Sequence, residues 1–308
     1  MKSLRVFGYV AIPAGLLALV VLPLLSGCGG GTKKTTVTVK PSKKAGGATG
    51  GGATSTTKKK TPAAGGFGTF KGKVVFEGTA PTLNPLVAKG AKVKDAAVCS
   101  LNAVPNESLI VGPGGGVKNV FIYLTKAPKG AKIPPVSTEP AVWDQKGCHF
   151  IPHCQLVRVN QTVNIKSGDP IAHNTHTYPK REAGFNAVIK AGDRKGADFT
   201  YKIAEFEPVE IKCDFHTWMI GYQLPLKHSF AALTDANGEF TIPNLPSGVH
   251  KFQVWHESAQ GHYLYRNLKV AIEDGKATTQ ELKYPAGKLV SGVQPVLKSV
   301  KLSALIGR

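Results

Sequence analysis

Cys213, His216 and Met219 stand in the run Cys213-Asp-Phe-His-Thr-Trp-Met219, which places a thiol, an imidazole and a thioether at intervals of three in one short segment. Two imidazoles and a thiolate in a trigonal set, with a weak axial thioether, suit copper that cycles between its two oxidation states. Zinc sites seldom include Met, and hard cations want oxygen ligands. The second imidazole has to come from elsewhere. The run Asp169-Pro-Ile-Ala-His173-Asn-Thr-His176 offers one forty residues upstream, behind a strand-like approach.

These residues resemble the cupredoxins, and within them the amicyanin-like type whose ligand loop also reads Cys-x-x-His-x-x-Met. The stretch from Leu156 to Ile165, followed by Ala172-His-Asn-Thr-His176, is similar to that family's strand, turn, strand and His-Asn ligand corner. The resemblance covers roughly residues 141–228. It implies one type 1 copper site with His173, Cys213 and His216 as strong ligands and Met219 as the axial one, and Asn174 as the residue that pins the two ligand loops together. Asn160 stands in the turn where the family usually has Gly. His176, two residues beyond His173, would share its face on a strand; it reads first as a partly exposed structural histidine, and otherwise as a neighbour or competitor of the ligands. Trp218, between two ligands, reads equally as partner-facing surface and as packing.

Lys2 and Arg5 precede an apolar run from Val6 to Leu25 that ends in Leu25-Ser-Gly-Cys28, the pattern of an export signal. Its last four residues resemble a bacterial lipobox, which implies that residues 1–28 are a leader and that Cys28 is lipidated. Gly29 implies sorting to the outer membrane, facing the periplasm; an uncleaved anchor is the alternative. Residues 29–66 are Gly, Thr, Lys, Ala and Ser with almost no large apolar side chain, so they form a tether that buries too little to offset its ordering entropy. Its reach is about 30–40 Å.

Half of the +20 net charge belongs to the leader and tether. The other half favours an anionic neighbour: an acidic redox partner, an envelope polymer or lipid head groups. Nucleic acid is not expected, because the chain is exported and carries no reading motif.

With Cys28 lipidated and Cys213 on the metal, Cys99, Cys148 and Cys154 remain, enough for one disulfide in an oxidising compartment. Cys99 and Cys148 flank turn residues and are the favoured pair, with Cys154 a small core residue; Cys148 with Cys154 is the runner-up. The run Cys148-His-Phe-Ile-Pro-His-Cys154 also invites a second metal.

The elements that must position these groups are short alternating runs punctuated by Gly, Pro and Asn, with no amphipathic stretch long enough for a substantial helix. The chain is expected to be all-β, a Greek-key cupredoxin sandwich plus a prealbumin-like one. Residues 234–254 resemble the carboxypeptidase regulatory-like (prealbumin-like) sandwich, with Asp235 and Asn237 in a hairpin turn and not a calcium loop. That sandwich needs about seven strands and 229–286 offers only four or five, so the expectation is a split sandwich, 67–139 with 229–286, that accepts a cupredoxin unit at 140–228. A tandem arrangement is the alternative, and 287–308 is a tail.

Filled coordination argues against an enzyme and for outer-sphere electron exchange, with a periplasmic c-type cytochrome or dehydrogenase as partner. Two alternatives stand beside it: an envelope protein that binds carbohydrate or protein without redox chemistry, and a protein that sequesters or delivers copper.

Overall fold

The computed structural model describes residues 65–290. The leader with Cys28, nearly all of the tether, and residues 291–308 lie outside the described residues. The chain enters through β1 (Phe67–Glu77), where Phe70, Val74 and Phe76 fall on one buried face by the period-2 rule. A long connection with the short helix α1 (Ala96–Cys99) leads to β2 (Phe121–Tyr123). Nine strands follow: β3 (Ala141–Gln145), β4 (Phe150–Ile151), β5 (Cys154–Arg158), β6 (Val163–Ser167), β7 (His173–Tyr178), β8 (Asn186–Ile189), β9 (Ala197–Phe199), β10 (Val209–Lys212) and β11 (Ile220–Leu226). The chain then runs through β12 (Ala231–Leu233), β13 (Glu239–Pro246), β14 (Gly248–Trp255), β15 (Tyr263–Ile272) and β16 (Ala277–Pro285). The fold is all-β, and among the described residues no helix is long and apolar enough to cross a membrane.

Four sheets form two sandwiches. In the outer one, a sheet ordered β13-β1-β16 faces one ordered β12-β2-β14-β15, and Phe70, Val74, Ile242 and Leu282 from the first pack with Ile122, Phe252, Val254 and Val270 from the second. Its first strand pairs in parallel with its last, Thr69 opposite Ala277 through Glu77 opposite Pro285. In the inner sandwich, β5-β11-β10-β7-β8 faces β4-β3-β6-β9. Its core joins Val157, Ile189, Val209 and Ile211 of one sheet to Trp143, Phe150, Val163 and Ile165 of the other. No strand between β3 and β11 joins the sheets of the outer sandwich.

Two features tie the sandwiches together. Phe121, Tyr123 and Trp255 of the outer one cluster with Cys154, Leu224 and Leu226 of the inner one. The connection between β1 and β2 crosses to the inner sandwich, where Val87, Cys99 and Val104 join the core that also holds Cys213 and Met219. A Cys99–Cys148 disulfide fastens that connection, with Cα atoms 5.3 Å apart. Asn160 in the turn between β5 and β6 has φ +69°, left-handed backbone that Asn tolerates better than most side chains.

Candidate metal centre

The loop Cys213–Met219 is the connection between β10 and β11, whose last and first residues, Lys212 and Ile220, sit opposite each other. Two backbone bonds set its shape: Met219 N–H donates to His216 O at 2.9 Å, and Cys213 N–H to Met219 O at 3.2 Å. Antiparallel pairing of β7 with β10, Lys212 opposite His176, brings the start of β7, and with it His173, beside this loop. Across the forty residues, Cys213 Sγ lies 4.0 Å from His173 Nδ1 and 3.7 Å from His216 Nδ1, and the two Nδ1 atoms are 3.0 Å apart. All three side chains are essentially inaccessible to solvent, and Met219 is buried in the same cluster.

Each imidazole has its second nitrogen held by a carboxylate. His173 Nε2 is 2.9 Å from Asp169 Oδ2 and His216 Nε2 is 2.9 Å from Asp95 Oδ2. Such partners fix ring orientation and raise ligand basicity. Asp169 is itself fixed: its oxygens accept the backbone N–H groups of Gly147 at 2.6 Å and Cys148 at 2.8 Å. Both donors have left-handed backbone, φ +62° and +56°, so two successive N–H groups face one anion. Burial alone would raise the Asp169 carboxyl, but His173 and these two donors hold it below its ordinary value. Burial would likewise push His173 down, yet Asp169 and the Cys213 sulfur carry it up to about 9. The Cys213 thiol, despite its burial, comes down to about 6 through the two imidazoles and the backbone N–H groups of Asn174 and His216. The pocket is therefore built for a thiolate, the form in which sulfur binds metal.

Asn174 bridges the two ligand segments. Its Oδ1 accepts Asp214 N–H at 2.6 Å, while its Nδ2 donates to Asp214 Oδ2 at 2.7 Å and to Asn186 Oδ1 at 2.9 Å. His176 lies partly exposed, 3.1 Å from Asp214 Oδ2 and away from the donor cluster. Trp218 is half-buried, donates Nε1–H to Cys148 O at 3.1 Å, and has its ring 5.3 Å from that of His216. Phe215 carries the Lys94 ammonium over its face at 4.8 Å. Gly221 lets β11 pass over Trp143, since a Cβ there would come within 2.9 Å of the indole and of His153 O.

The donor set fits copper: one sulfur and two Nδ1 atoms within 4.8 Å of one another, in a dry pocket with both imidazoles oriented from behind. Cys148, Asp169 and His173 also lie within that distance of one another, but the Cys148 sulfur is consumed in the disulfide. Sequence reasoning missed Asp95 and gave Asp169 no role. The only local signal is the i, i+4 spacing of Asp169 from His173.

No protein-family model matches the chain, and no curated protein matches it. Among solved structures, it is similar to a reduced amicyanin variant at 22% identity and TM-score 0.25, over 31% of this chain and 97% of that one. It is also similar to a purple cupredoxin from Nitrosopumilus maritimus at 18% identity and TM-score 0.23, over 28% and 98%. A third is a copper-containing nitrite reductase from Thermus scotoductus SA-01, at 18% and 0.25, over 32% and 24%. At these identities and TM-scores the likeness adds nothing to the chemistry that the residues define.

Proposed function

We propose that this chain is a type 1 copper protein that exchanges electrons by the outer-sphere route, its cupredoxin-like unit inserted in a split prealbumin-like sandwich and held at the cell envelope by a lipidated Cys28. The observation that carries the reading is the convergence of Cys213 Sγ with the Nδ1 atoms of His173 and His216 in a fully buried pocket. Copper there would be held by Cys213, His173 and His216 with Met219 beside them, and would supply a one-electron couple. The chain's own residues supply the rest. Asp169 and Asp95 orient the imidazoles, Asn174 locks the two ligand segments, and Met219, Ile189 and Phe150 keep water out. A site so tightly braced changes little between two charge states, which is what outer-sphere exchange requires. The charge outside leader and tether supports an acidic redox partner in the periplasm.

One observation favours a second reading, a small-ligand binder. A cleft of about 270 Å³ is lined by Tyr178, Tyr222, Trp255, Glu205, Glu207 and Lys180, and aromatic faces beside carboxylates suit a sugar.

Adding Cu(II) to the purified chain separates the readings. An intense blue colour, bleached reversibly by reductant and lost in Cys213→Ser, supports electron transfer. A colourless protein, or copper affinity that survives that substitution, would sink it; copper that passes to an acceptor with no net change of oxidation state would point to delivery.

A further inference from the structure

A second cluster of metal-binding groups lies where the two sandwiches meet. His153 Nε2, Cys154 Sγ and a Glu257 carboxylate oxygen all fall within 4.8 Å of one another. His153 comes from the turn between β4 and β5 of the inner sandwich and Cys154 opens β5, while Glu257 comes from the turn after β14 of the outer one. His153 Nε2 and Glu257 Oε1 are already paired. Cys154 is a free, buried thiol, and nothing in the copper reading uses it.

From these positions we propose a zinc-type divalent cation site, independent of the copper centre, that clamps the inner sandwich to the outer one. Nitrogen, sulfur and oxygen donors together match the mixed ligand sets that four-coordinate Zn²⁺ accepts, whereas Mg²⁺ and Ca²⁺ want oxygen alone. Three protein ligands leave a fourth position for water. Space for it exists: a cavity of about 70 Å³ is bounded by His153 and Glu257, with His149 and Glu107 on its wall. Trp218 and Met219 also line it. Binding would release the thiol proton of Cys154 to solvent and replace it with the cation. Because His153 and Glu257 are 104 residues apart and on different sandwiches, the ion would add a tie between them beside the packing, the Cys99–Cys148 disulfide and the Tyr123 to Phe206 hydrogen bond.

The test uses the full chain with Cys213→Ser, which removes the one other buried free thiol among the described residues, titrated with Co²⁺ alone as a spectroscopic stand-in for Zn²⁺. One equivalent bound with a near-ultraviolet thiolate-to-cobalt band is expected. The band should disappear when Cys154→Ser is added, and affinity should fall at least ~10-fold when Glu257→Gln is added instead. Zn²⁺ should raise the melting temperature of the Cys213→Ser chain more than that of the Glu257→Gln double variant. Absence of the band in the Cys213→Ser chain, or a band that survives Cys154→Ser, overturns the site. Glu257→Gln keeps the side chain's size and a hydrogen-bonding oxygen, so it stays informative if the Cys154 variant misfolds. Neither result bears on blue colour in the unmodified chain.

Discussion

His216 Nε2 lies 2.9 Å from Asp95 Oδ2, across 121 residues, so the histidine of the Cys213–Met219 loop is closed off from behind by a segment outside its own sandwich. Asp95 adopts left-handed backbone, φ +53°, immediately before α1, and α1 ends at Cys99 of the disulfide. The carboxylate thus has a fixed address, and its charge falls on the ligand side chain. A negative charge there favours the more positive oxidation state. Asp95→Asn should raise the reduction potential of the copper-loaded protein by roughly 40 mV, corresponding to about 1 kcal/mol of lost differential stabilisation. A redox titration of the variant beside the parent reads this directly, and an unchanged or lowered potential would refute it.

The Cys99–Cys148 bond closes a loop with a sequence separation of 49. Chain-entropy arithmetic for such a loop gives about 4 kcal/mol of stabilisation. A Cys99→Ser, Cys148→Ser double variant should lose most of that in urea unfolding. It should also loosen Asp95 and Trp218, whose anchors are α1 and the Cys148 carbonyl. Faster quenching of tryptophan fluorescence by iodide is the expected accompaniment. A double variant as stable as the parent would show that the connection between β1 and β2 holds its place by packing alone.

The convergence of groups in the Cys213–Met219 loop could be read from the sequence because the three lie on one seven-residue connection, where spacing is geometry. His173 could be read because it opens a strand that pairs beside that loop. Asp95 could not: nothing around it resembles a ligand partner, and its role comes from a crossing connection and a disulfide. Asp169 acts through two left-handed N–H groups at Gly147 and Cys148, a conformation that no pattern of residue types specifies. The strands were visible from their alternation, β10 within the residues Val209–Lys212 themselves. The parallel pairing of β1 with β16 across some two hundred residues is a long-range choice, and strand counting alone hinted at it.

Asn174 makes three hydrogen bonds that stitch β7 to the Cys213–Met219 loop and to β8. Asn174→Ala leaves the Asp214 N–H without its partner and removes both donors. A loss of about 2–3 kcal/mol is expected, since each bond contributes about 1 kcal/mol and a stranded group adds to the cost. Urea unfolding of the metal-free chain measures it. A loss under half a kilocalorie would mean that β7–β10 pairing already fixes the loop.

Two buried histidines outside the site make stability depend on pH. Burial, aided by the nearby Arg158 charge, lowers His228 to about 4. Burial, aided by the charge of His153, lowers His256 to about 3. Both are neutral in the folded protein down to those values, while in the unfolded chain they take up protons near 6.5. Their contribution is therefore complete above the unfolded value and declines as pH falls from about 6.5 toward the folded values. Between pH 6.5 and 5 each should cost about 1.5–2 kcal/mol. The Phe230 N–H donates to His228 Nδ1 at 3.2 Å, and an Asn oxygen can replace that acceptor without titrating. His228→Asn should remove about half of the decline across this interval in urea unfolding at the two pH values. An unchanged slope would show that His228 takes up its proton in the folded protein at about the same pH as in the unfolded chain.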